Sequence, residues 1–471
     1  MTRALCKLQY KPKVVCELHM TNKKQYKRHM KINKMVLLAF LLLAFTKNQA
    51  QQKKLLNLKA AIELALTNSN AASLAKTKVE TSKLELDNTK NNAYPTVKAS
   101  GQYMRLSSAH IDSNIQSNNN PSNPPAAPLK VNSLLLGQLN VNMPVFSGFK
   151  LKNTIKESES MYKAETFSEK HSKEQIGLQV VNLFSTLYKA QQMVDLIEDN
   201  LKTADQRVKD FTAEEENGII ARNDLLKAQL QQSNVQLSLD NAKKNTAIAN
   251  HQLVTLLKLP ENTQIEIDID AIKRDMVSNQ GTLGEGERND LKSLELKKQA
   301  AESGIKVAKG GYYPSLSLTA GYIAFDLNNV ISVTNAMNFG VGFSYDLSSI
   351  FKNGKQVKLA QSRAKETEIA VSELTDEIKE ETFQAQQNYE LSLKQSLVYD
   401  KAVEQSTENY RIVKDKYDNS LSDTTDLLEA DYQQLQSKIN QALSKADVAQ
   451  KYYELQFASG KLTSSLKITQ K

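Results

Sequence analysis

The chain states its pattern twice. The segment Tyr94-Pro95-x-Val97-x-Ala99-x-Gly101-x-Tyr103 returns about 219 residues later as Tyr313-Pro314-x-Leu316-x-Leu318, ending in Gly321-Tyr322. Asn217-Gly218, followed by Asp224-Leu225-Leu226-Lys227-Ala228, returns as Asn419-Ser420, followed by Asp426-Leu427-Leu428-Glu429-Ala430. Each copy reads as a helix, two alternating strands, a very long helix, a tight turn and another long helix. A period so far beyond that of solenoids marks a duplicated half-structure.

The strands come in two pairs. In the first pair, Val97, Ala99, Gly101 and Tyr103 alternate with Lys98, Ser100 and Gln102. Leu135, Leu139, Val141, Met143 and Val145 then alternate with Leu136, Gln138, Asn140 and Asn142. In the second, Leu316, Leu318, Ala320 and Tyr322 are set against Ser315, Ser317, Thr319 and Gly321. The last strand sets Met337, Phe339, Val341, Phe343, Tyr345 and Leu347 against Asn338, Gly340, Gly342, Ser344 and Asp346. Such alternation over about ten residues suits a membrane barrel strand, with lipid on one face and water on the other. A half-buried soluble sheet alternates in the same way. Aromatic residues at the strand ends (Tyr94, Phe146, Phe149, Tyr312, Tyr313, Phe351) favour the membrane, where they would form an interfacial girdle.

After each strand pair comes a proline-free stretch, residues 149–215 and 351–417, in which glycine occurs only at Gly177 and Gly354. As helix, about 65 residues span roughly 100 Å. The returning segments carry a 3-4 repeat: Leu225, Ala228, Val235, Leu239, Ala242, Ala249, Leu253 and Leu256 in one copy. Leu428, Tyr432, Leu435, Ile439, Ala442, Ala446, Ala449 and Tyr453 follow it in the other. This is a coiled-coil seam, and its alanines permit close helix approach. The segment at residues 58–92 reads as one helix, stopped by Pro95. The Asn/Pro-rich loop at 107–131 belongs in solvent.

Charge supports export rather than nucleic-acid binding. The formal net charge is +9, yet residues 1–50 hold 11 Lys and Arg against Glu17 alone, leaving 50 basic and 51 acidic residues in the rest. Met30-Lys31-Ile32-Asn33-Lys34, an apolar run at 36–45 and Asn48-Gln49-Ala50 have the layout of a secretory signal peptide. We expect translation from Met30 or Met35 and a mature start at Gln51. Cys6 and Cys16 lie ahead of that point, so the mature chain would have no disulfide, thiolate metal site or lipid-bearing cysteine. The five histidines (His19, His29, His110, His171, His251) show no metal-ligand spacing. No phosphate loop, nucleophile elbow or acid–base cluster is present. The expectation is a protein that is not an enzyme and uses no cofactor or metal.

The duplicated Tyr-Pro entry and the duplicated turn with Asp-Leu-Leu-x-Ala resemble the TolC family of outer-membrane efflux and secretion channels, over residues 58–462. The resemblance implies a mixed α and membrane β fold. A long α-helical barrel would join a transmembrane β-barrel with four strands per chain, built from two internal repeats. Four strands cannot close a barrel, and open edges are not tolerated in lipid. A homotrimer would supply twelve. The expected division is an upstream extension and signal peptide (1–50), a first repeat (51–260), a connector (261–286), a second repeat (287–462) and a tail (463–471).

The function implied is an exit duct for small toxic compounds through the outer membrane of a Gram-negative bacterium, reaching into the periplasm. A periplasmic adaptor and an inner-membrane transporter would open it, lipid would surround the barrel, and nucleic acid would play no part. Type I protein secretion is the alternative, since wall residues serve both uses. A periplasmic adaptor or a structural coiled-coil protein would lack two hairpins combined with membrane-like strands. The resemblance also places a periplasmic gate at Asp224, Tyr417, Asp426 and Glu429. Ser422 stands where some members carry an arginine, and Ser420 where glycine is common. Asp426 has a plainer reading as well, since an acid in a first helical turn complements the macrodipole. Asn223 and Asp423 are the expected N-caps.

Overall fold

The computed structural model describes residues 52–111, 129–267, 287–328, 330–466 and 468. The expected leader, the mature start at Gln51, both cysteines, most of the Asn/Pro-rich loop and most of the connector lie outside them. The chain divides into two units, residues 1–54 with 262–264 and residues 55–261 with 265–471. Apart from Asn262, the described residues of the first belong to two short strands, β1 (Gln52–Leu56) and β4 (Thr263–Ile267), which pair as a two-stranded sheet. β1 carries no period-two alternation, and the alternating Ile265-Glu266-Ile267 of β4 reads from sequence only as part of a connector of mixed short structure.

The second unit begins with α1 (Leu58–Asn68) and α2 (Asn70–Asn91). The single helix expected at 58–92 is thus broken at Ser69, which is extended (φ −70°, ψ 148°) and whose hydroxyl accepts from the Ala72 N–H at 3.2 Å. Serine competes for backbone donors and so starts a new helix where no Pro or Gly announces one. Then follow β2 (Thr96–Ile111), β3 (Leu129–Ser147), α3 (Lys150–Glu216) and α4 (Arg222–Leu257). The second copy contributes α5 (Asn289–Lys309), β5 (Ser315–Leu327), β6 (Ile331–Ser344), α6 (Ser349–Asp418), α7 (Thr424–Ala458) and a single turn, α8 (Leu462–Ser465). Helices α3 and α6 hold 67 and 70 residues. Among the described residues no helix is long and apolar enough to cross a membrane.

The four long strands form one antiparallel sheet, in the order β2-β3-β5-β6. In the rows nearest the helices, register makes the two faces chemically distinct; farther out the second face also turns apolar, with Met104, Leu134, Leu327 and Ile331 in one row. One row across the sheet is Val97, Val141, Ala320 and Phe339, and the next is Lys98, Asn140, Gly321 and Asn338. The apolar rows are bare: Phe339 is 92% and Val341 71% exposed. A soluble sheet would bury that face, so the alternation serves an apolar surrounding instead. A bulge between Pro144 and Phe146 shifts Val145 out of register, at the place where a proline cannot donate to the ladder. Strands β2 and β6 each keep one unpaired edge.

The helices follow the sheet's order: α3 packs on α2 and α5, and α5 on α6. Helices α4 and α7 return along α3 and α6 respectively, and α7 also packs on α3. The main core gathers where several segment ends converge. It contains Ile62 of α1, Phe184 and Leu187 of α3, Leu253 of α4, Tyr452 and Tyr453 of α7, and Leu462. Gly177 explains itself here: a Cβ added to it would lie 3.1 Å from Leu462 Cδ2. The buried Glu174 carboxylate, one turn earlier, accepts from the Thr463 N–H at 3.0 Å and from the Thr463 hydroxyl. The C-terminal turn is therefore tied to the middle of α3.

Candidate functional site at the two hairpin turns

Both turns use the same backbone device. At the end of α3, Gly218 has φ 72°, and the Ile219 N–H reaches back to the Glu214 carbonyl at 2.8 Å. At the end of α6, Ser420 has φ 59°, and the Leu421 N–H bonds the Lys416 carbonyl at 2.8 Å. These are left-handed helix terminations, normally assigned to glycine. The second copy holds the conformation with a serine. The helices restart differently. Asp423 caps α7 by accepting from the N–H groups of Thr425 (2.8 Å) and Asp426 (3.0 Å). Those bonds hold its carboxyl below the ordinary carboxylate range. The expected partner cap, Asn223, lies inside the first turn of α4. The cap position there is Ala221, which makes no side-chain bond.

The four expected site residues have distinct surroundings. Tyr417 stacks on Phe211 with ring centroids 5.8 Å apart and 23° between planes. Burial pushes its phenol up, in a setting that includes Thr424, Glu214, Asp224 and Asp418. Glu214 is likewise raised, first by burial and then by Asp210 and Asp418. Asp224 pairs with Lys227 at 3.2 Å, and the same ammonium donates to Thr425 Oγ1 across to α7 at 3.2 Å. Asp426 accepts from the Ser422 hydroxyl at 2.7 Å. Glu429, one turn on, accepts from Gln433 Nε2 at 3.1 Å. It also lines a groove of about 660 Å³ between α4 and α7, with Leu230, Leu428 and Tyr432. Tyr417 is thus brought near Asp224, while Asp426 and Glu429 follow each other along α7. Among the described residues no group of three or more His, Cys, Asp or Glu could hold a metal ion.

Beneath the turns an apolar cluster joins the hairpins, formed by Phe211, Leu225, Ala228 and Leu427, with Tyr410, Val413 and Tyr417 against it. One turn of α3 above it lies a pair the sequence did not disclose. Arg207 donates to Asp431 Oδ2 at 2.9 Å, with side chains 8% and 4% exposed. The Tyr410 hydroxyl lies 3.4 Å from the guanidinium, and Asn200 reaches the same carboxylate at 3.5 Å. The partners stand 224 residues apart, and each alone reads as an ordinary helix-surface charge.

The sequence pattern of the outer membrane efflux protein family matches residues 61–257 and 285–461. The chain belongs to that family, whose members are channel proteins of the outer membrane and not enzymes. No curated protein matches the chain. Solved structures share its fold. The Campylobacter jejuni CmeC outer membrane channel superposes with TM-score 0.71 at 19% identity, covering 86% of this chain and 86% of that one. The outer membrane protein VceC of Vibrio cholerae gives 0.70 at 15%, covering 86% and 96%. The open state of the Neisseria gonorrhoeae MtrE outer membrane channel gives 0.69 at 16%, covering 86% and 89%.

Proposed function

We propose that three copies of this chain close into one outer-membrane exit duct for small toxic compounds, opened at its hairpin turns by a periplasmic adaptor and an inner-membrane pump. The observation that carries this reading is the four-stranded sheet, whose helix-proximal rows set a bare apolar face against a polar one and which keeps two unpaired edges. Unpaired edges are forbidden in hydrocarbon, and three such sheets edge to edge make a closed twelve-stranded barrel. The family match and the similarity to outer membrane channels support the same use.

In this reading the turns of α6–α7 gather around the axis at the periplasmic end. Asp426 and Glu429, three of each, form a narrow acidic constriction that favours cations. Tyr417 holds the second hairpin against the first, and Ser422 orients Asp426 from within its own chain. Mass measurement in mild detergent tests the assembly: three chains are expected, and a stable channel-forming monomer would refute it. Deleting the gene should sensitise cells to small toxic compounds. Loss of a secreted protein, with unchanged sensitivity, would assign the duct to protein secretion instead.

A further inference from the structure

Toward the turns, the seam between the hairpins makes apolar contact at two levels, with a buried ion pair between them. Away from the turns, Ile197, Val235, Leu239 and Ala242 form one cluster, with Ile439 of α7 against it. At the turns, the cluster around Phe211 and Leu427 forms another. Arg207 and Asp431 lie between the two on both helices: 197, 207 and 211 along α3, and 427, 431 and 439 along α7. The other ion pair joining α3 to α7 among the described residues, Lys189–Asp447, is far more exposed, at 25% and 43%. The interruption in the seam is therefore both charged and dry.

We propose that the Arg207–Asp431 pair is a latch. It fixes the register in which the turn-bearing ends of the two hairpins close, and it marks the level at which those ends part from the rest of the seam. The proposal rests on the reading that the turns form a gate.

The argument is one of solvation. Taking two charges out of water costs about as much as their attraction returns, so a buried pair contributes little net adhesion while strongly disfavouring any arrangement that separates it without water. An apolar pair at the same place would join the two clusters into one continuous seam. Separation would then expose hydrocarbon with nothing gained. When the latch parts, water reaches both ions and restores their hydration. The pair thus specifies the closed state without cementing it. Tyr410 belongs to the device because its hydroxyl carries the contact of the pair to α6.

Two kinds of substitution should therefore act in opposite directions. Asp431→Asn strands the Arg207 guanidinium in a dry site and weakens the closed state. Arg207→Met with Asp431→Leu fills the site with apolar groups and strengthens it. A residue pair needed merely for folding would not reverse sign between them. The experiment uses the full chain purified from membranes, recorded in planar bilayers and followed by amide hydrogen exchange over residues 205–231 and 410–431. Asp431→Asn should raise the open population about tenfold or more and speed exchange at the turns. The apolar double variant should lower both below wild type. The exchanged pair, Arg207→Asp with Asp431→Arg, should restore wild-type behaviour and serves if Asp431→Asn fails to assemble. Equal opening in the single and apolar double variants, or wild-type exchange in Asp431→Asn, would overturn the latch. Exchange reads the parting of the hairpins without any current. A wild-type protein that never conducts, yet shows these opposed exchange shifts, would sink the channel reading and leave the latch standing.

Discussion

Ser422 donates to Asp426, oxygen to oxygen at 2.7 Å, within a single chain. The first acid of the second returning helix is thereby committed to its own turn. Exposed to solvent, such a bond contributes modestly; its role is to aim the carboxylate.

That geometry has an electrical consequence. Asp426→Asn combined with Glu429→Gln should weaken cation selectivity and relieve block by multivalent cations. Reversal potentials in a salt gradient, together with titration of the block, measure both. Unchanged values would reduce the two acids to partners of the α7 macrodipole. Ser422→Ala alone should leave selectivity in place and broaden the affinity of block, because the carboxylate loses its single orientation.

Tyr417 should act through packing instead of charge. Tyr417→Ala removes the stack on Phe211 and part of the cluster beneath the turns, a loss of about 2 kcal/mol. Faster amide exchange at residues 208–228 and a larger resting conductance are expected. Tyr417→Phe keeps the ring and should behave nearly as wild type.

These expectations show where the sequence was readable. Long helices without Pro or Gly, and strands with strict alternation, carry their periods over tens of residues, so α3, α6 and β6 were plain. The cap at Asp423 was legible because an aspartate before a helix start has few other uses, whereas the parallel inference for Asn223 failed. Its neighbour Ala221 takes the cap position, and nothing local distinguishes the two registers. The break at Ser69 was hidden by flanking residues equally content in a helix. Arg207 and Asp431 stayed invisible for a different reason: burial of a charge is a property of the packed seam, and no single-helix pattern records it.

The Glu174 clamp predicts a pH dependence. Burial pushes this carboxyl above its ordinary range, against the opposing hydrogen bonds from Thr463. The fold therefore favours the protonated acid. Its contribution is full below the unfolded value of about 4.3 and is lost as pH rises through the folded value. Exchange at the amides of residues 462–466, measured from about pH 4 to 8, should quicken with pH beyond its intrinsic rate. Glu174→Gln should abolish that trend while keeping an acceptor for Thr463. Glu174→Ala should loosen the C-terminal turn at every pH, by about 1–3 kcal/mol.

The sheet's two faces should tolerate charge unequally. Phe339→Lys places an ammonium on the bare apolar face and should cost about 2–4 kcal/mol near the middle of a bilayer. Ser100→Lys puts the same charge on the face that carries Lys98 and Asn140 and should leave assembly intact. Counting trimers in detergent extracts of outer membranes distinguishes them. Equal yields would mean that the apolar face does not meet lipid.

The order β2-β3-β5-β6, repeated by α2, α3, α5 and α6, carries one more implication. The two halves of the chain meet along β3 and β5 in the way that β6 of one copy would meet β2 of the next. A closed ring of three chains is then a ring of six near-equivalent sectors, in which every second junction is bridged by covalent chain. Connectivity would then guarantee stoichiometry instead of shape: each sector bearing Gly218 would arrive beside one bearing Ser420, and unlike feet would alternate around the axis. A ring of six identical sectors would have a single kind of foot. In such a ring, duplication followed by divergence would allow one set to brace and the other to move.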